Sequence, residues 1–289
     1  MQIIIDNNSG LCYGVKRALR IVRKTKEEKT KNVFTLGNLI HNSQIISDLE
    51  KQGVHSANSP EKIKGGTIII RSHGVSPEVR KILNQKKVKI VDATCPIVKN
   101  IQKLVETLAK EEEEIIIVGN RDHPEIKGLI GYSKGKAIII ENESQCKNLC
   151  PKKKRAVLAQ STQDLYVFKK VATALIEYTE ELRIFNTICK FTQIRQKSTS
   201  ELASSVDTLF IIGDKNSSNT NKLYEISKRI LPNTYLIENA EQITHEMLEG
   251  SDKIGLSSGA STPQDTINEA VLKIKTNFKH QLHRENIVQ

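Results

Sequence analysis

The sequence predicts an α/β protein of three compact units with mainly parallel sheets. Three observations carry this. Strand-like and helix-like stretches alternate along all 289 residues. The strand-like stretches are short, rich in Ile and Val, and nearly continuous in apolar character, as strands covered on both faces must be. Finally, a loose triplication of strand, loop, cysteine and helix recurs about once per third of the chain.

In order, strands are expected over residues 3–5, 32–36, 67–71, 88–91, 114–118, 136–140, 155–159, 182–185, 208–212, 234–237 and 253–256. Helices are expected over 15–25, 43–52, 76–84, 96–110, 163–180, 192–204, 219–231 and 262–276, with Pro263 suited to a first helical turn. Units of 1–95, 96–190 and 191–289 follow, the last ending in a polar tail from about Lys279. No Pro/Gly-rich linker marks the cuts, so close packing is expected.

Composition narrows the function. No run of 18 apolar residues occurs, so no membrane span is expected. Met1-Gln2-Ile3-Ile4-Ile5-Asp6 runs straight into a strand pattern without the order of a signal peptide, which reads as cytoplasmic. The formal charge of +11 points to an anionic partner. Runs such as Lys152-Lys153-Lys154-Arg155 read as solvated faces. Aromatics are 4% with no Trp, and no recognition motif appears, which argues against nucleic acid. A phosphorylated substrate or an acidic redox protein suits the charge better.

Cys12, Cys95 and Cys189 each follow a strand and open a helix. They lie too far apart for a zinc knuckle, and a reducing compartment favours ligands over disulfides. Three similarly placed thiolates suggest one shared centre, and a cubane iron–sulfur cluster held by three keeps one iron open for chemistry. Cys146 and Cys150 lack companion ligands and read as incidental.

Ligands of open α/β sheets bind beyond the carboxyl ends of the strands. The polar clusters there include His41, His73 and His123, which suit phosphate oxygens or a zinc ion. Asn216-Ser217-Ser218-Asn219 and Ser257-Ser258-Gly259-Ala260-Ser261 each precede a helix and suit either simple capping or an anion. Neither is a Walker or GxGxxG motif. Glu125, two residues after His123, is either a helix-start carboxylate or a buried proton donor.

Together the segments Gly10-Leu11-Cys12-Tyr13-Gly14-Val15, Ile40-His41-Asn42, Arg71-Ser72-His73-Gly74-Val75, Asp92-Ala93-Thr94-Cys95-Pro96, His123-Pro124-Glu125, Asn186-Thr187-Ile188-Cys189, Lys215-Asn216-Ser217-Ser218-Asn219 and Ser258-Gly259-Ala260-Ser261 resemble the 4-hydroxy-3-methylbut-2-enyl diphosphate reductase family, in its order. The resemblance implies three α/β domains in pseudo-threefold arrangement around one [4Fe–4S] cluster held by Cys12, Cys95 and Cys189. It implies a two-electron, proton-coupled loss of an allylic hydroxyl, giving isopentenyl and dimethylallyl diphosphate. Glu125 would be the proton source, with Ser161 orienting it where the family usually has Thr. His41, His73, Ser217, Ser218, Asn219 and Ser261 would hold the diphosphate, and His123 would join it or the proton network. Reduced ferredoxin or flavodoxin would be the electron donor. Two other readings compete: a cluster-bearing nucleic-acid sensor, and a zinc hydrolase on His41, His73 and His123.

Overall fold

The computed structural model describes residues 1–28, 32–63, 65–111 and 114–285, with side chains to residue 277. The strands are β1 (Gln2–Ile5), β2 (Val33–Leu36), β3 (Val54–Ala57), β4 (Thr67–Ile70), β5 (Lys89–Asp92), β6 (Glu114–Val118), β7 (Ile138–Ile140), β8 (Lys152–Ala159), β9 (Thr179–Phe185), β10 (Thr208–Ile212), β11 (Thr234–Ile237) and β12 (Lys253–Ser258). The helices are α1 (Tyr13–Glu27), α2 (Ser43–Lys51), α3 (Pro77–Asn84), α4 (Pro96–Lys110), α5 (Pro124–Tyr132), α6 (Leu165–Ala174), α7 (Lys190–Ala203), α8 (Ser218–Lys228) and α9 (Gln264–Glu285). Short 3₁₀ turns fill some connections.

Three four-stranded sheets result, and every strand pair in them is parallel. Their orders are β3-β2-β4-β5, β7-β6-β8-β9 and β11-β10-β12-β1. These are one order used three times: second, first, third, fourth. In the last sheet the fourth strand comes from the chain's beginning. Ile3, Ile4 and Ile5 pair with Ile254, Gly255 and Leu256. The expected unit 1–95 therefore gives up its first strand to the sheet of residues 191–289. Pairing across such a separation leaves no local mark in the sequence.

The chain divides into two compact units, Met1–Cys12 with Lys190–Gln289, and Tyr13–Cys189. In the smaller unit Phe210, Ile212, Ile254 and Leu256 pack on Ile267 and Ile274 of α9. Leu209 and Ile211 turn the other way, onto Leu202, Val206 and Leu223. In the larger unit β6 does the same, with Ile115 and Ile117 joining one cluster and Ile116 and Val118 another. Side chains alternate across a strand, so a run apolar at every position must be covered on both faces. Each fully buried Ile contributes about 1.5–3 kcal/mol of transfer free energy.

Two expectations shift. The helix expected over 163–180 ends at Ala174 in a 3₁₀ turn, because Thr179 and Glu181 pair with Lys152 and Lys154 of β8. Edge strand β3 escapes the apolar pattern because its His55 is exposed. The polar tail expected from Lys279 lies on α9 as far as Glu285. The side chains of His280 and His283, and residues 286–289, are outside the described residues.

Arg155 anchors β8, the strand that leads to Ser161. It is 1% exposed, and its guanidinium donates to Glu114 and to the carbonyls of Cys150 and Tyr178. Arg155→Ala strands the Glu114 carboxylate and should cost about 3 kcal/mol. Urea unfolding of the two proteins checks this; a loss under about 1 kcal/mol would show the network to be dispensable.

Candidate active site

The three cysteines are placed by one recurring hydrogen bond. The Cys12 amide donates to the carbonyl of Ala260, that of Cys95 to Ser72, and that of Cys189 to Ser161, each at 2.9 Å. Each acceptor lies just past the third strand of its own sheet, and each cysteine just past the fourth. Helices α1, α4 and α7 begin at the next residue. None of these three cysteines is in a disulfide, and each is half-buried. Cys146, by contrast, is core, packed with Ile116 and Val171. Soft, partly accessible thiols in equivalent backbone settings fit an iron–sulfur cluster's ligand set.

In the larger unit the loops after β2, β4 and β6 bring His41, His73 and His123 together. Their ring centroids are 4.8 Å (41–73), 5.1 Å (73–123) and 5.5 Å (41–123) apart. The loop after β4 is tied to the loop after β2, since Ser72 donates from N and Oγ to the Leu39 carbonyl at 3.3 and 3.1 Å. His123 caps α5 by accepting the Glu125 amide at Nδ1, 3.2 Å away. Its proton therefore sits on Nε2.

Burial holds His73 far below its ordinary pKa, helped by the charges of His123, His41 and Arg71. Burial, His41 and Arg71 bring His123 to about 3. His73 Nδ1 is buried and makes no hydrogen bond among the described residues. Neutral imidazoles can donate an N–H to an anion or ligate a metal, and the neighbouring Arg71 charge favours the anion. An arriving anion would raise these pKa values and strengthen its own binding. The three-imidazole set has ligand atoms within 4.8 Å of one another, yet the Arg71 charge opposes zinc.

Glu125 is 1% exposed. Ser161 donates to it twice, from N to Oε1 at 2.8 Å and from Oγ to Oε2 at 2.6 Å. Burial raises its pKa, and the two bonds offset only part of that. A carboxyl group so placed retains its proton at higher pH than a solvated one. Ser161 carries the carbonyl that receives the Cys189 amide, so the carboxyl and the thiol hang from one loop.

In the smaller unit the loops after β10 and β12 form a second polar site. Ser217, Asn219 and Ser261 are buried, and Ser218 is half-buried. Ser217 caps α8 by accepting the Thr220 amide. Asn219 Nδ2 is buried without a hydrogen bond among the described residues. An orphaned donor at a helix N-terminus suits an anionic ligand. Gly213 and Gly259 let the loops meet, because a Cβ on either would lie 2.7 or 2.0 Å from Thr220 Oγ1. Arg195 of α7 donates to the carbonyls of Gly10 (2.9 Å) and Ser258 (3.2 Å), tying the Cys12 loop to the loop that bears Ser261.

A family model described as LytB protein matches residues 3–275. The chain belongs to this family. It is 42% identical over 280 residues to the 4-hydroxy-3-methylbut-2-enyl diphosphate reductase of Caldanaerobacter subterraneus, covering 96% of this chain and 97% of that one. It is 39% identical over 285 residues to the reductase of Aquifex aeolicus, covering 98% and 99%. A solved (E)-4-hydroxy-3-methyl-but-2-enyl diphosphate reductase, the terminal enzyme of the non-mevalonate pathway, aligns at 40% identity and TM-score 0.69, covering 96% and 100%. The Plasmodium falciparum enzyme aligns at 26% and 0.88, covering 93% and 86%. The three-unit α/β fold is that of the LytB structures.

The site residues expected from sequence fall into two sets. One is Cys95, Cys189, His41, His73, His123, Glu125 and Ser161 in the larger unit; the other is Cys12, Ser217, Ser218, Asn219 and Ser261 in the smaller. Two arginines went unremarked. Arg71 sits in the same run as His73, which was its available signal. Arg195 lies mid-helix and carries no local signal at all.

Between pH about 3 and 6.5 the folded chain holds fewer protons on His123 than the unfolded chain. Stability from this group is complete above the unfolded value and is lost as pH falls toward the folded one. His123→Asn keeps a capping acceptor and removes the titration. The wild-type urea midpoint should therefore fall relative to this variant as pH drops below 6.5. A constant difference would mean that His123 titrates as in water.

Proposed function

We propose that the chain reduces 4-hydroxy-3-methylbut-2-enyl diphosphate to isopentenyl and dimethylallyl diphosphate. The buried Glu125 of α5, whose pKa burial raises and whose carboxylate accepts both bonds from Ser161 on the loop that receives the Cys189 amide, carries this reading within the structure. Near-full-length similarity to reductases of that name supports it from outside. The allylic C–O bond breaks, two electrons and two protons enter, and water leaves.

Cys12, Cys95 and Cys189 would hold one [4Fe–4S] cluster, which supplies electrons and a Lewis-acidic iron without a protein ligand. The rest falls to side chains. His41 and His73 donate to the diphosphate, as do Ser217, Ser218, Asn219 and Ser261. The diphosphate never reacts, so its binding energy can position the hydroxyl. Glu125 gives its proton to the departing oxygen, since hydroxide is a poor leaving group. Ser161 Oγ orients Glu125, and His123, whose Nδ1 accepts the Glu125 amide, joins the diphosphate or the proton path. A serine keeps the hydroxyl that a threonine would supply there.

Reduced ferredoxin or flavodoxin would deliver the electrons, an acidic partner suited to a net charge of +11. No helix among the described residues is long and apolar enough to cross a membrane. Five cysteines outside any disulfide suit the reducing cytoplasm.

Anaerobic turnover by the cluster-loaded protein, with a strong one-electron reductant, should yield both diphosphate products. No product from a protein whose cluster is intact and reducible would overturn the reading. Cys12→Ser, Cys95→Ser and Cys189→Ser should each lose the cluster's absorbance and activity together. Glu125→Gln should bind substrate yet turn over at least about 100-fold more slowly.

A further inference from the structure

A second cationic hollow lies in the larger unit, apart from the histidines. A cavity of about 220 Å³ is walled by the ends of β2 and β4 and the first turns of α3 and α5. Arg71, Lys127, Ser76 and Asn58 form its polar wall, while Val75, Val79 and Pro124 are among its apolar ones. No carboxylate lines it, and neither do His41, His73, His123 or Glu125.

Arg71 is what demands an occupant. The residue is half-buried, and what burial it has pulls its pKa down. Its Nε is buried and makes no hydrogen bond among the described residues, nor does a carboxylate there pair with it. Leaving a buried charge without a counter-charge is costly, so such groups are paired in native proteins. The backbone makes deliberate room for it. Gly37 adopts φ +69°, and a Cβ there would fall 2.4 Å from Arg71 Nη1. Lys127 faces the same cavity and is held only loosely elsewhere, 3.5 Å from the exposed Asp122. Ser76 caps α3, and Pro124 and Lys127 lie in the first turn of α5. Two helix starts therefore add partial positive charge to two full ones.

We infer that this cavity is a second anion site, taking a phosphate monoester with a short apolar body. The phosphate pairs with Arg71 and Lys127, whose two charges match a dianion. The apolar body packs on Val75, Val79 and Pro124. The site adjoins the histidine cluster through Arg71, which acts on His73 and His123, but no histidine lines it, and it does not depend on the reaction proposed above.

The test titrates 3-methylbutyl phosphate and inorganic phosphate into the anaerobically isolated, cluster-containing protein by calorimetry. A His41→Asn/His73→Asn double variant serves as background, so that binding at the histidines does not contribute. Binding of the ester should persist in that background and be tighter than that of inorganic phosphate. Arg71→Gln should weaken it at least tenfold. Lys127→Gln, an exposed position that leaves folding intact, should weaken it several-fold. Loss of binding in the histidine background would place the ligand at the histidines and overturn the assignment. Unchanged affinity in the Lys127 variant, no preference for the ester, or no binding at millimolar ester would equally overturn it.

Discussion

The amides of Cys12, Cys95 and Cys189 are each bonded to a carbonyl just beyond the third strand of the sheet concerned, and much else follows from that bond. Parallel strands end together, so whatever follows them shares one edge. The carbonyls of Ser72, Ser161 and Ala260 accept these amides, and they neighbour His73, Glu125's partner hydroxyl and Ser261. A thiol and a polar side chain are thus delivered together, three times over. The strands can hold this edge rigidly because both their faces are buried, as in β4 and β10, where every residue is buried. Rigid strands carrying functional loops are how sheets of this kind present chemistry.

Burial is the common cause behind the electrostatics of the larger unit. It raises the pKa of Glu125 and lowers those of His73 and His123. The same physical effect thus prepares an acid at one point and neutral donors at another. Arg71 biases the histidines further and would welcome negative charge on either side of itself. An anion bound beside these imidazoles would therefore favour their charged form.

The smaller unit is held by buried polar bonds where loops must meet. Asp6 Oδ2 accepts from Ser198, Thr199 and Ser257 at 3.0, 3.1 and 2.9 Å. Arg195 adds its two carbonyl contacts, and Ser258 Oγ accepts the Gly10 amide at 2.7 Å. The Cys12 loop and the Ser261 loop consequently cannot move independently. A ligand on Ser261 and a metal on Cys12 would each feel the other through these bonds.

Local patterns in the sequence determined the alternation of elements, the parallel sheets and the cysteine, histidine and glutamate positions. Ile68-Ile69-Ile70 or Leu209-Phe210-Ile211 announces a strand buried on both faces, because no solvated face would accept it. A cysteine between such a run and a helix start is equally plain. What the tertiary structure alone decided depends on partners remote in sequence. Strand β1 joins β12, and Arg195 reaches Gly10 from 185 residues away. Glu125 is ambiguous in the tripeptide His123-Pro124-Glu125, and only burial in the folded core raises its pKa, against the two bonds from Ser161. Arg71 stands two residues before His73 in the sequence, but only the fold leaves it half-buried with no carboxylate partner among the described residues. Periodicity is written along the chain, whereas desolvation and pairing exist only once remote segments exclude water from one another.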